Sequence, residues 1–226
     1  MVNKLMDETS LNSPEQYRVN RFVIPLTLLV VGVVCLVTID GIVGSFFHTH
    51  KPAGEVRHLL AAAEHFGTPY GQILALLCVA AACGWNEPRV IRIFCGAALA
   101  GLAANLAKLC IARTRPSQFD FDALRILDSF VGWFPLGRGG SGFQSFPSAH
   151  TASAFGFAAL LVWAYPRGRP AFLLLAGLVG LQRVAASAHF PSDVLIGGAL
   201  GWSVGWLLTG QNRVTRFFDR LERRTC

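Results

Sequence analysis

From Phe22 to Phe47 the chain runs with a single acidic side chain, Asp40, and no basic one. This run constrains the fold more than any other feature. A helix needs about 20 apolar residues to cross roughly 30 Å of hydrocarbon, and the run is longer than that. It is too long for a signal-peptide core, and no small-residue cleavage site followed by a soluble domain comes after it. It reads as a retained first span.

Five further apolar stretches follow: Tyr70–Trp85, Val90–Ala112, Ala149–Tyr165, Ala171–Ala188 and Val194–Thr209. Charged residues make up only 15% of the chain, against about 25% in a soluble domain. The expected fold class is therefore all-α: a polytopic membrane protein of six transmembrane helices. Residues 21–210 form the membrane domain, between a polar, poorly ordered N-terminal tail (1–20) and a basic C-terminal tail (211–226). Gly197, Gly198, Gly201 and Gly205 are expected to be helix-packing contacts. The six cysteines lie mostly in apolar spans and show no zinc-site or disulfide spacing.

Charge predicts the orientation. With six spans, one side receives the N-terminal tail, the turns near Asn86–Arg92 and Pro166–Pro170, and the C-terminal tail, with twelve cations. The other side has eight, three of which the chemistry below requires. The positive-inside rule then puts both termini in the cytoplasm and the longer loops outside. Cations at helix ends fit a bilayer rather than nucleic acid. Arg213–Arg224, with Phe217, Phe218 and Leu221, reads either as a basic amphipathic helix on anionic lipid or as an ordinary solvated tail.

Gly54–Phe66 has Val56, Leu59, Leu60 and Ala63 at helical spacing, which predicts an interfacial helix on the outer side. His48, His50, His58 and His65 surround it, and a wet surface is preferred over a metal site. Ser117–Phe146 is the longest connection, aromatic and then glycine-rich. It is expected to be a lid dipping into the interface.

Polar groups at membrane depth are costly and usually functional. Here they form three clusters: Lys108 to Arg115-Pro116, Pro147-Ser148-Ala149-His150, and Gln182-Arg183 to His189 and Asp193. In a six-span chain all three emerge on one face. Lys108 and Arg115 share a helical face if the third span stays helical that far, and Pro116 would then end it. Ser148 suits an N-cap whose following N–H groups bind an anion. Pro191 suits the first turn of the last span, with Asp193 just inside it and near His189. Cations, a helix N-terminus, two histidines and a carboxylate suit phosphoryl transfer. Arg113 and Arg138 are read as steering or interfacial residues, and Asp40 as a helix-end polar residue.

These clusters resemble the motifs K-x6-R-P, P-S-x-H and R-x5-H-x3-D of the type 2 phosphatidic acid phosphatase superfamily, in order, over about Tyr70–Thr209. The resemblance implies His189 as nucleophile, Asp193 as its orienting carboxylate, and His150 as general acid and then base. Lys108, Arg115 and Arg183 would bind the phosphoryl oxygens, with Ser148 and the backbone of Ala149. No metal or cofactor is implied. Ala149 and Gln182 depart from the family's frequent Gly and Ser.

The expected function is an integral membrane lipid phosphate phosphatase working through a phosphohistidine. Its substrate would be phosphatidic acid, phosphatidylglycerol phosphate or a polyprenyl diphosphate. The expected setting is a bacterial inner membrane, with the site facing the periplasm. A lipid phosphotransferase, or an inactive lipid-binding or transport protein on the same scaffold, are the alternatives.

Overall fold

A computed structural model describes residues 14–84, 87–134, 140–210 and 213–225. Trp85, Asn86 and Arg138 lie outside the described residues, as do residues 1–13 of the expected tail. Helix α1 (Pro14–Thr38) already starts within that tail. The following elements are α2 (Asp40–Thr49), α3 (Gly54–Glu64), α4 (Pro69–Cys83), α5 (Val90–Lys108), β1 (Ile111–Arg113) and β2 (Phe130–Trp133). Then come α6 (Ala149–Ala164), α7 (Arg169–Ala185), α8 (Pro191–Leu207) and α9 (Arg213–Thr225).

Helix α6 is the centre of the bundle and is buried on nearly every face. It packs on α5, α7 and α8, and α1 covers the far side of α8. The crossing of α6 and α8 depends on the glycine stripe. A Cβ at Gly197 would stand 2.6 Å from the Ser148 carbonyl oxygen, and one at Gly205 would stand 2.6 Å from that of Gly156. These glycines are the packing contacts expected from their spacing, and they bring the two backbones close enough to align their N-termini.

The first span departs from the single straight helix expected. It bends by 72° between Thr38 and Asp40, where Asp40 turns inward and is fully buried. The third span also ends early. α5 stops at Lys108, and Ile111–Arg113 pairs antiparallel with Phe130–Trp133 as a two-stranded ribbon. The chain is therefore not purely α, and Lys108 and Arg115 do not share a helical face. Pro116 does not end α5, which stops eight residues before it.

The outward faces of α1, α4 and α5 are apolar: Leu26, Val37, Leu74 and Leu102 are all more than half exposed. Contiguous exposed apolar faces mark surfaces that meet lipid or another protein. Among the described residues Val90–Lys108 is long and apolar enough to span a membrane alone. The bent α1–α2 pair passes the same test together, and α4 and α6 are shorter apolar helices.

Helix α9 is not a free solvated tail. Phe218 is buried in the same core as Phe157 and Leu160. Arg92, buried at the start of α5, donates to Glu222 at 2.9 Å and to Asp219. Arg213, Arg216, Phe217 and Arg220 stay exposed on the outer face of α9.

Candidate active site at one end of the bundle

The three polar clusters are laced together by backbone hydrogen bonds. The Ser145 N–H donates to the Arg113 carbonyl at 3.0 Å, and the Arg115 N–H to that of Gly142 at 2.8 Å, joining the first cluster to the approach of the second. The Ser148 N–H donates to the Asp193 carbonyl at 3.0 Å, joining second to third. The Ser117 N–H donates to the Ser187 carbonyl at 3.0 Å, closing first to third.

Beneath this lacing lies a buried polar hub built on Arg113. Its guanidinium donates to Asp40 at 2.8 Å, Asp193 at 2.5 Å, Ser192 at 2.8 Å and Ser129 at 3.0 Å. The rings of Phe130 and Phe190 flank it, their centroids 4.5 and 4.1 Å from Cζ. An uncompensated buried charge is prohibitive, whereas one paired with two carboxylates and hydrogen-bonded through four of its five N–H groups is tolerable. Arg113 is fully buried, which corrects the steering or interfacial role expected of it. Asp40 also accepts from the Ser192 N–H at 2.9 Å. The bend in the first span thus delivers a carboxylate to the N-terminus of α8.

His189 sits on this hub, 2% exposed. Its Nδ1 donates to the Ser145 carbonyl oxygen at 2.6 Å, which sets the tautomer and leaves Nε2 with its lone pair. Asp193 Oδ2 stands 3.8 Å from Nδ1, beyond hydrogen-bonding distance. Its own bonds go to Arg113, to the Ser145 hydroxyl at 2.5 Å and to the Phe190 N–H at 2.9 Å. The direct Asp193–His189 hydrogen bond expected from spacing is replaced by one through Ser145. Burial first, and then the charges of Lys108 and Arg183, push the His189 pKa down to about 4 against the opposing pull of Asp193. The ring is therefore neutral at physiological pH.

Ser148 is the N-cap of α6, as expected. Its hydroxyl accepts from the Thr151 N–H at 3.4 Å and lies 2.9 Å from the Thr151 hydroxyl. Pro191 opens α8 with Asp193 in its first turn. Ala149 and His150 are the first two residues of α6, where free backbone N–H groups favour anions.

The cations gather on the open side. Lys108, Arg115 and Arg183 are within electrostatic reach of one another, of His150 and, apart from Arg115, of His189. Burial, then the charge of Arg183, lowers the Arg115 pKa from its ordinary range. Among the described residues no carboxylate pairs with Lys108 or Arg115, and the Nε atoms of Arg115 and Arg183 are buried without partners. Crowded, under-neutralised cations are unfavourable alone and fit a polyanion.

Chain similarity identifies the family. Residues 89–216 match the PAP2 superfamily. The chain belongs to that superfamily. It is 38% identical over 107 residues to a lipid A 1-phosphatase of Rhizobium etli, covering 47% of this chain and 42% of that protein. Over 61 residues it is 43% identical to a decaprenylphosphoryl-5-phosphoribose phosphatase of Mycobacterium tuberculosis, covering 27% of this chain and 33% of that one. The chain thus spans well under half the length of these relatives. The transmembrane PAP2-type phosphatidylglycerolphosphate phosphatase of Bacillus subtilis has the same fold, with a TM-score of 0.55 at 18% identity over 87% of this chain and 96% of that one.

Sequence reasoning missed Glu64, Ser145, Ser129 and Ser192. Glu64, at the end of α3, binds Arg183 and lies 3.8 Å from His150 Nε2. Its place on the polar face of an outer helix was the available signal. Ser145 and Ser129 lie in the long connection, where no periodicity marks them. That connection, expected as a lid, packs in part against the hub. Phe119 is buried against Phe121 and Phe190, and Phe130 covers Arg113, while Trp133 and Phe134 stay exposed. Three of the four outer histidines make separate contacts rather than one site: His48 with the Pro116 carbonyl at 3.1 Å, His65 with Tyr70, and His50 stacked on Phe46.

Proposed function

We propose that the chain is an integral membrane lipid phosphate phosphatase that works through a phosphohistidine at His189 without a metal. The placement of Lys108 and Arg183 within electrostatic reach of a neutral histidine with a free Nε2, with Arg115 beside those two cations, carries this reading.

His189 Nε2 attacks the phosphorus, a P–N bond forms, and the bond to the lipid oxygen breaks. His150 gives its proton to that leaving oxygen, then takes one from the water that hydrolyses the phosphohistidine to inorganic phosphate. The charge that develops on the phosphoryl oxygens is met by Lys108, Arg115 and Arg183 and by the N–H groups opening α6. Asp193 acts from behind: it anchors Ser145 and Arg113 and holds a negative charge near the imidazolium side of the ring. Glu64 holds Arg183 in the free site and competes with the incoming phosphate for that guanidinium.

The lipid setting is supported by the exposed apolar faces of α1, α4 and α5 and by the family. In this reading α1–α2, α4, α5, α6, α7 and α8 are six spans of a bacterial inner membrane. The Arg89, Arg92 and α9 end faces the cytoplasm and the histidine end faces outward.

The test is phosphate release from phosphatidic acid, phosphatidylglycerol phosphate and a polyprenyl diphosphate in detergent containing EDTA. Release should persist with EDTA and disappear in His189→Ala, with a phosphorylated species trapped on His189 at acid quench. Loss of turnover with EDTA would overturn the metal-free mechanism, and full activity in His189→Ala would overturn the nucleophile.

A further inference from the structure

A cavity of about 250 Å³ opens beside the site and takes no part in the mechanism above. Its walls carry Lys51, Arg57 and Gln182, over a floor that includes Leu60, Ala61 and Ala185. It lies between the chain entering α3 and the last turn of α7. Both walls continue directly into the catalytic end: Gln182 precedes Arg183 on α7, and Glu64, which binds Arg183, stands one turn beyond Leu60 on α3.

The lining is chemically specific. Neither Lys51 nor Arg57 pairs with a carboxylate among the described residues. Gln182 Oε1 is buried without a hydrogen-bond partner, and such an atom calls for a donor. Lys51 and Arg57, both exposed at the rim, offer two positive charges to an anion, and the unpartnered amide oxygen can accept from a hydroxyl.

The spacing limits the ligand further. At 1.5 Å of rise per residue, Leu60 and Arg57 stand about 6 and 10 Å along α3 from Glu64. Two phosphates that share one oxygen are too close together to reach both places. A phosphomonoester without a second charge leaves the cavity unfilled. A short hydroxylated spacer between two anionic groups fits.

We infer that this cavity is a second anion subsite, which selects lipid phosphates whose headgroup carries another phosphate across a glycerol-sized spacer with a free hydroxyl. Lys51 and Arg57 hold the second phosphate, and Gln182 Oε1 accepts from the hydroxyl. The assignment rests on the phosphatase reading and names the substrate class within it.

The experiment compares phosphatidylglycerol phosphate with phosphatidic acid in the wild type, the double variant Lys51→Gln/Arg57→Gln, and Gln182→Leu. The double variant should lose about tenfold or more in kcat/KM on phosphatidylglycerol phosphate, mainly through KM, for the loss of two charge-assisted contacts. On phosphatidic acid it should change by less than about twofold, as expected of exposed charges without a ligand. Gln182→Leu should show the same selectivity with a smaller loss. Equal losses on both lipids, or none on either, would overturn the subsite.

Calorimetry with the soluble headgroups separates the two readings. Wild type should bind glycerol 1,3-bisphosphate more tightly than glycerol 3-phosphate, and the double variant should not distinguish them. If no lipid were turned over, the phosphatase reading would fall while this preference still decided the subsite. Equal affinity of the wild type for the two headgroups would refute it, and tight binding of inorganic phosphate alone would mark a free-phosphate site instead.

Discussion

Two arginines, at opposite ends of the bundle, solve the same problem differently. Arg113 is fully buried, between Asp40 and Asp193 and between two phenylalanine rings. Arg92 is almost as buried, with Asp219 and Glu222 as partners and the rings of Trp163 and Phe218 against it. The difference is in the carboxylates. Both partners of Arg113 are wholly enclosed, whereas the Asp219 side chain is 45% exposed. Water can therefore rescue one end and not the other. The enclosed hub ties α1–α2, the β-ribbon and α8 into the floor of the site. The leaky one docks a single C-terminal helix.

The largest effect should come from Arg113→Met. It strands two buried carboxylates, which costs about 3–5 kcal/mol, and it should unfold the site end in a detergent thermal melt with loss of turnover. Arg92→Met strands only partly solvated acids and should cost nearer 1–2 kcal/mol. Turnover should survive while α9 becomes protease-sensitive. Equal destabilisation by the two variants would break the comparison.

Acid sharpens the contrast, because His189 lies at the Arg113 end. Its folded pKa of about 4 lies below the roughly 6.5 of an unfolded histidine. Between those values the unfolded chain binds more protons, so stability falls as pH drops from about 6.5 towards about 4. Melting temperature measured across that window should slope downward in wild type and flatten in His189→Asn. The acid limb of kcat/KM assigned to His189 should likewise sit near pH 4.

The smallest effect expected is that of Glu64→Gln. Removing the carboxylate that competes for Arg183 should tighten inhibition by orthovanadate a few-fold, corresponding to less than about 1 kcal/mol. Weaker inhibition would show Glu64 to be a support for Arg183 rather than a competitor.

The helical bundle was legible because apolar length and periodicity are local properties. α4, α6, α7 and α8 lie close to where the hydropathy placed them, and the Gly197–Gly205 stripe packs as its spacing implied. The motif residues were legible because charges inside apolar sequence need a reason. Less legible were the elements whose conformation answers to distant partners. Nothing near Asp40 announces a 72° bend, and nothing near Ile111 announces a strand.

Sequence by itself determined the apolar helices, the capping of α6 by Ser148, the Pro191 start of α8 and the grouping of Lys108, Arg115, His150, Arg183, His189 and Asp193 into three short polar segments. Each follows from side chains a few residues apart. Only the tertiary structure decided that Arg113 is the hub, that Ser145 rather than Asp193 holds the His189 ring, and that Glu64 occupies Arg183. The physical reason is that buried charge must be neutralised by whatever lies nearest in space. In this fold the nearest groups come from segments up to about 150 residues apart, as with Asp40 and Ser192.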